Sequence, residues 1–164
     1  LEASNMVTMI EVLFWFSSLY VLPFWLMMWF APSHERTAWL MRSEWVYLAP
    51  LAAAYTLAVL PNIVDIFITL GSEMPTPEIV VDMFSQDEVI LIGWLHFLTF
   101  DLFVGRWTWQ RLVATEQPIY VSFPVLLFSM MVAPLGALLG LIVTRNHGNE
   151  AKAFENGDAL AMSK

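Results

Sequence analysis

Three side chains able to carry a charge or move a proton fall within one apolar run: His96, Asp101 and Arg106 in GWLHFLTFDLFVGRW, residues 93–107. A charge at bilayer depth costs roughly 2.5–3.5 kcal/mol on insertion scales, so such a group normally faces protein and marks function. On a helix, groups spaced by fives sit roughly 140° apart. These three therefore cannot make one catalytic face, and each needs its own neighbour. Asn62 and Asp65 come late in the preceding apolar run. If the two runs are antiparallel helices, Asp65 lies level with His96, which predicts a polar cluster of Asp65 and His96 with Asn62 alongside. Asp101 falls near the midplane. Arg106 falls near the far surface, where Glu35 and Glu44 of an earlier loop are its expected protein partners. The simpler readings are that Arg106 snorkels to the interface, that Asp101 joins helices by hydrogen bonds, and that His96 only packs. The functional reading gives His96 a pigment to ligate or a proton to transfer, and marks Asp101 and Arg106 as functional by their depth.

The elements that must position these groups follow from composition. Of 164 residues, 59% are hydrophobic and 13% charged, with a mean hydropathy of +0.65. A soluble domain is nearer about 45–50% apolar and about 25% charged, and one this small cannot hide the excess. Bilayer is the expected solvent. Four apolar stretches, residues 10–30, 46–70, 89–110 and 119–144, each exceed roughly 30 Å of hydrocarbon at about 1.5 Å per residue. In lipid, segments of this length satisfy their backbone as helices. Tryptophans mark both surfaces, Trp15 and Trp94 on one and Trp25, Trp29, Trp107 and Trp109 on the other. The expected fold is all-α: four transmembrane helices in a membrane domain of residues 1–145, then a polar tail, 146–164.

The connections differ. Loop one, residues 31–45, carries Trp39, Leu40 and Trp45 and predicts a short interfacial helix after helix one. Loop two, residues 71–88, holds Glu73, Glu78, Asp82, Asp87 and Glu88 and no Lys or Arg; its 79–84 stretch can rest on the membrane surface. With four crossings the N-terminus, loop two and the tail share one face and loop one takes the other. The count of basic residues on the two faces is then nearly tied, and the arginines near helix ends favour the loop-one face as cytoplasmic or stromal.

Several classes drop out. A net charge of −8 argues against nucleic acid. Zero cysteines exclude disulfides, thiolate metal sites and a thiol nucleophile, and no metal site is expected. There is no Gly-rich phosphate loop and no nucleophile elbow. Four spans without an internal repeat make a poor carrier.

The run from Gly93 to Trp107 resembles the signature helix of the ABA-deficient-four-like family, whose pattern is approximately W-x-H-x-L-x-x-D-L-F-x-x-R. Pro23-Phe24-Trp25, Ala31-Pro32, the 79–84 stretch and Pro134-Leu135-Gly136 fit the same resemblance. Gly140 stands where some relatives carry a His, which leaves a non-catalytic relative open. Plant members are linked to neoxanthin synthesis, so the resemblance implies carotenoid chemistry: opening a xanthophyll epoxide to an allene. That isomerisation needs an acid at the epoxide oxygen and a base at the polyene. Asp101 is the candidate base and His96 the candidate acid, positioned by Asp65, and no cofactor is required. The other class is a pigment-binding or scaffolding subunit of a photosystem or antenna. There His96 would ligate chlorophyll magnesium, with Trp94 and Trp107 among the flat walls for carotenoid. The acidic loop 71–88 and the tail 146–164 would be its docking handles. Either class implies carotenoid and lipid as partners, in a chloroplast thylakoid or bacterial photosynthetic membrane.

Overall fold

The computed structural model describes residues 2–72 and 76–145; the side chains of residues 2–7, 62, 65, 66, 69, 70 and 72 lie outside the described set, as do Leu1 and residues 73–75 and 146–164. Every regular element among the described residues is helical. In chain order these are α1 (Glu2–Tyr20), α2 (Leu22–Phe30), α3 (Glu35–Arg42), α4 (Glu44–Tyr47), α5 (Ala49–Val59), a 3₁₀ turn (Leu60–Asn62), α6 (Ile63–Ser72), α7 (Pro77–Met83), α8 (Asp87–Ala114), α9 (Ile119–Met131) and α10 (Ala133–Val143). The chain forms two compact units. One comprises Leu1–Tyr20 with Ala49–Thr99, the other Val21–Leu48 with Phe100–Lys164.

Two stretches are long and apolar enough to cross a membrane: Thr8–Phe30, 23 residues, and Asp87–Ala114, 28 residues, each with a mean hydropathy of 1.6. In the most apolar 18 residues of each, only 28% are buried inside the protein. Most of their apolar surface therefore faces outward, the reverse of a soluble core helix. The stretch expected to span, 89–110, lies within one continuous helix, α8, which begins at Asp87 and runs on to Ala114.

The other stretches are interrupted, and proline explains where. Pro lacks the N–H that a helix interior needs and its ring clashes with an earlier carbonyl. Within 46–70, α5 stops at Val59 and Pro61 sits in the 3₁₀ turn before α6. Within 10–30 the interruption is a single residue, Val21, with Pro23 in the first turn of α2. The interfacial helix expected in loop one is two short helices, α3 and α4. His34 caps α3, its Nδ1 accepting from the Arg36 N–H at 3.1 Å. In loop two the surface stretch is α7, whose N-cap Thr76 hydroxyl accepts from the Ile79 N–H at 3.4 Å.

The largest departure from expectation is residues 119–144. They are not one helix. α9 ends at Met131, its C-cap Val132 leaves the helical region (φ −148°, ψ 79°), and α10 starts with Pro134 in its first turn, where the missing N–H has no intrahelical partner to lose. The two helices then pack on each other. A Cβ placed on Gly136 would strike the backbone of Ser129, a contact that only a fold-back allows. α10 also lies along α8: a Cβ on Gly140 would come within 2.7 Å of Thr108 Cγ2, and Arg111 Nε donates to Thr144 Oγ1 at 3.2 Å. Passing from residue 140 to 144 matches passing from 108 to 111, so α10 runs parallel to α8 and α9 runs antiparallel. The residues at 136 and 140, spaced by four, give the close approach that small side chains permit.

The first unit has its own core: Ile10 of α1, Ala54, Ala58 and Val59 of α5, and Ile92 and Leu95 of α8. In the second, Trp25, Met28, Met41, Tyr47, Leu112 and Leu126 are buried.

Candidate functional site

In the first unit α8 presents Trp94 and His96. His96 is exposed, and its ring meets Tyr55 of α5 edge-on, with centroids 5.4 Å apart, and Phe97 at 6.3 Å. Trp94 Nε1 donates to Ser18 Oγ at 3.3 Å, and its ring lies 6.0 Å from Phe14. Thr99 returns its hydroxyl to the Leu95 carbonyl at 2.8 Å, so a buried polar group is satisfied within its own helix. The expected cluster of Asp65 and His96 with Asn62 lies outside the described residues, because the Asn62 and Asp65 side chains do.

In the second unit Asp101 is partly buried. One and a half turns on, Arg106 is answered from loop one. Its Nε donates to the Met41 carbonyl at 2.7 Å, its Nη2 lies 3.4 Å from Glu44 Oε1, and its guanidinium stands 5.0 Å from the Tyr47 ring centre. Arg106 is 17% exposed and Glu44 60%. The pair therefore keeps one foot in solvent, where an ion pair alone is worth at most about 1 kcal/mol. The bond to the carbonyl is charge-assisted and adds direction. Of the two acids expected as partners, Glu44 makes the ion pair.

The same end of α8 makes two more directed contacts. Buried Trp109 donates from Nε1 to the Pro32 carbonyl at 3.0 Å. Trp107, expected to face a pigment, carries the Arg111 guanidinium 5.1 Å above its ring. Gly105 leaves room for the Trp25 indole, whose Cζ3 would lie 2.8 Å from an added Cβ. Trp25 continues into an aromatic wall: Trp29 at 5.9 Å, then Phe123 a further 5.9 Å from Trp29, with Phe30 6.1 Å from Phe123. Among the described residues, the buried Tyr47 hydroxyl, Trp29 Nε1 and Thr108 hydroxyl have no hydrogen-bond partner. The tight fit at Gly140 against Thr108 means that a His at this position would have no room without separating α10 from α8.

His96 and Asp101 thus belong to different units, and their five-residue spacing turns them about 140° apart on α8. The sequence reading did not single out Tyr55 or Tyr47, the rings that meet His96 and Arg106. Matching by depth every ring with a polar edge, and not the carboxylates, amides and cations alone, is the signal that includes both. Elsewhere, an open groove of about 470 Å³ follows α7, lined by Pro77, Glu78, Val81, Asp82 and Ser85. Its two carboxylates suit it poorly to a polyene.

A model of the ABA DEFICIENT 4-like family matches residues 12–139, a stretch that includes α2 to α9 whole and most of α10. No curated protein and no solved structure matches the chain.

Proposed function

The chain belongs to the ABA DEFICIENT 4-like family, and from that premise we propose that it handles carotenoids in a membrane, isomerising an epoxy-xanthophyll of the violaxanthin type to an allenic one of the neoxanthin type. The observation that carries this reading is an imidazole and a carboxylate, His96 and Asp101, on α8, a helix long and apolar enough to cross a bilayer. A polyene dissolved in lipid meets such groups without entering water. The reaction is redox-neutral. A proton reaches the epoxide oxygen as its carbon–oxygen bond breaks, and a proton leaves a polyene carbon, whose electron pair closes the new double bond of the allene. The scheme needs one base and one acid: Asp101 is the candidate for the first, and His96, with Asp65 as its candidate positioning residue, for the second. Trp94 and Trp107 are the candidate polyene contacts, and the isomerisation itself consumes no cofactor. Residues 10–30, 46–70 and 89–110 are the proposed crossings, the second kinked at Pro61. The thylakoid, or a bacterial photosynthetic membrane, is the proposed location.

A second reading is supported by the exposure of His96 beside Trp94 and Phe97, which are 46% and 56% exposed. An imidazole on an outward-facing surface, flanked by flat rings, suits the magnesium of a chlorophyll. In this reading the chain is a pigment-binding subunit of a photosystem or antenna, docked through residues 71–88 and 146–164.

The two are separated by expressing the chain in a membrane that contains violaxanthin and chromatographing its pigments. The enzyme reading expects an allenic product that is absent without the chain. Unchanged violaxanthin, together with stoichiometric copurification with a chlorophyll complex, would move the assignment to the second reading.

A further inference from the structure

We infer that residues 119–144 form a re-entrant hairpin rather than a crossing, so that the chain crosses the membrane three times and its C-terminal tail leaves from the loop-one face. A helix running straight from residue 119 to 144 would be about 37 Å long and would carry Thr144 to the opposite surface. Instead Thr144 accepts from Arg111, eight residues before α9 begins, so the hairpin enters and leaves beside the same end of α8. Its arms, 13 and 11 residues, are each too short for roughly 30 Å of hydrocarbon and have the length expected of re-entrant segments. The tip suits lipid: Met131 and Val132 are 64% and 51% exposed. Its turn keeps its backbone bonded, with the Val132 N–H donating to the Phe128 carbonyl at 2.8 Å and the Val132 carbonyl accepting from Leu135 and Gly136 at 2.9 and 3.1 Å. Irregular backbone at membrane depth is tolerated on those terms.

Charge gives an independent argument. Loop one lies at the same end of α8, held there by Arg106 on Met41 and Trp109 on Pro32. With four crossings, Arg145, Lys152 and Lys164 would share a face with loop two, and Arg36, Arg42, Arg106 and Arg111 would take the other, a near tie. With the hairpin, all seven Lys and Arg of the chain fall on the loop-one face, and loop two keeps none. Basic residues near the ends of spans select the cytoplasmic side. The loop-one face, with the tail, is therefore cytoplasmic or stromal, and acidic loop two is on the opposite side.

The chain has no cysteine, so a single introduced thiol reports a single position. Ser33→Cys in loop one, Gln86→Cys in loop two and Ser163→Cys in the tail would each be placed in sealed vesicles of known orientation. A membrane-impermeant maleimide is then added to one face, and total thiol is read after permeabilisation. Ser33→Cys and Ser163→Cys should label from the same face, and Gln86→Cys should lose its labelling there entirely. Labelling of Ser163→Cys from the Gln86→Cys face would restore the fourth crossing and overturn the inference. The outcome is independent of any carotenoid chemistry.

Discussion

The two halves of α8 are held in different ways. From Asp87 to Thr99 the helix packs largely by shape: Ile92 and Leu95 lie against Ile10, Ala54, Ala58 and Val59, His96 meets the Tyr55 ring, and exposed Trp94 donates to Ser18 at 3.3 Å. From Phe100 to Ala114 it is held by direction. Arg106 and Trp109 reach carbonyls of loop one, Arg111 reaches Thr144, and two glycine contacts set how closely α2 and α10 approach. Packing of aliphatic groups tolerates volume-conserving exchange. A buried carbonyl that loses its donor does not, because its desolvation is then uncompensated. The half that carries His96 should therefore accept substitution better than the half that carries Arg106.

Glycine offers the sharpest break of that comparison. Gly136→Ala drives a Cβ into the Ser129 backbone, which cannot yield as a flexible side chain would. It should cost about 3 kcal/mol, the upper end for overpacking, and show as a clear drop in thermal stability in detergent. Gly71→Ala in α6 meets nothing within 4 Å and should gain up to about 1 kcal/mol from helix propensity. Equal effects at the two positions would remove the distinction.

Arg106 comes next. Arg106→Leu leaves the Met41 carbonyl without its charged donor and should lose about 1.5–3 kcal/mol. Glu44→Gln touches the exposed end of the same network and should stay within about 1 kcal/mol. Denaturant unfolding of both variants tests the order. Smaller still is the pair of indoles. Trp109→Phe removes the buried bond to Pro32 and should cost about 1–3 kcal/mol, whereas Trp94→Phe removes a long, exposed one worth about 0.5 kcal/mol.

What the sequence could reveal follows the same divide. α8 was legible because an apolar run of that length admits one solution in lipid, and its ends were found within a few residues. The pairing of Arg106 with loop one was legible because only that loop offered acids at its depth. The hairpin was not. A run without a charge looks like a crossing, and hydropathy cannot show whether a helix continues or turns back. The signals are Pro134 and the glycines at 136 and 140, four apart, which mark a helix start and a close approach; the family resemblance accounts for Pro134 and Gly136 without either, and Gly140 stands out only as the place of a missing His. The partners of His96 were less legible, since an aromatic ring answers an imidazole without any charge pattern to announce it.

The smallest expected effect lies in loop two. Glu78 is held below the usual carboxylate range by its own backbone N–H and by the Thr76 hydroxyl. A depressed folded value means that the contribution is present above the unfolded value and fades as pH falls through the folded one. α7 should therefore loosen slightly in acid, read as increased amide exchange at Ile79. Glu78→Gln should flatten that response.

Whether the Asp101 carboxylate acts as a base on a xanthophyll is read in the rate of allenic product formed by Asp101→Asn beside the unaltered chain. Asn keeps the size and hydrogen bonding of the side chain and removes its basicity. The Asp101→Asn protein should accumulate intact while its conversion falls by about 10²-fold or more, as loss of a general base requires. Conversion at the unaltered rate, or no conversion by either chain while His96→Leu strips a bound chlorophyll, would contradict that reading.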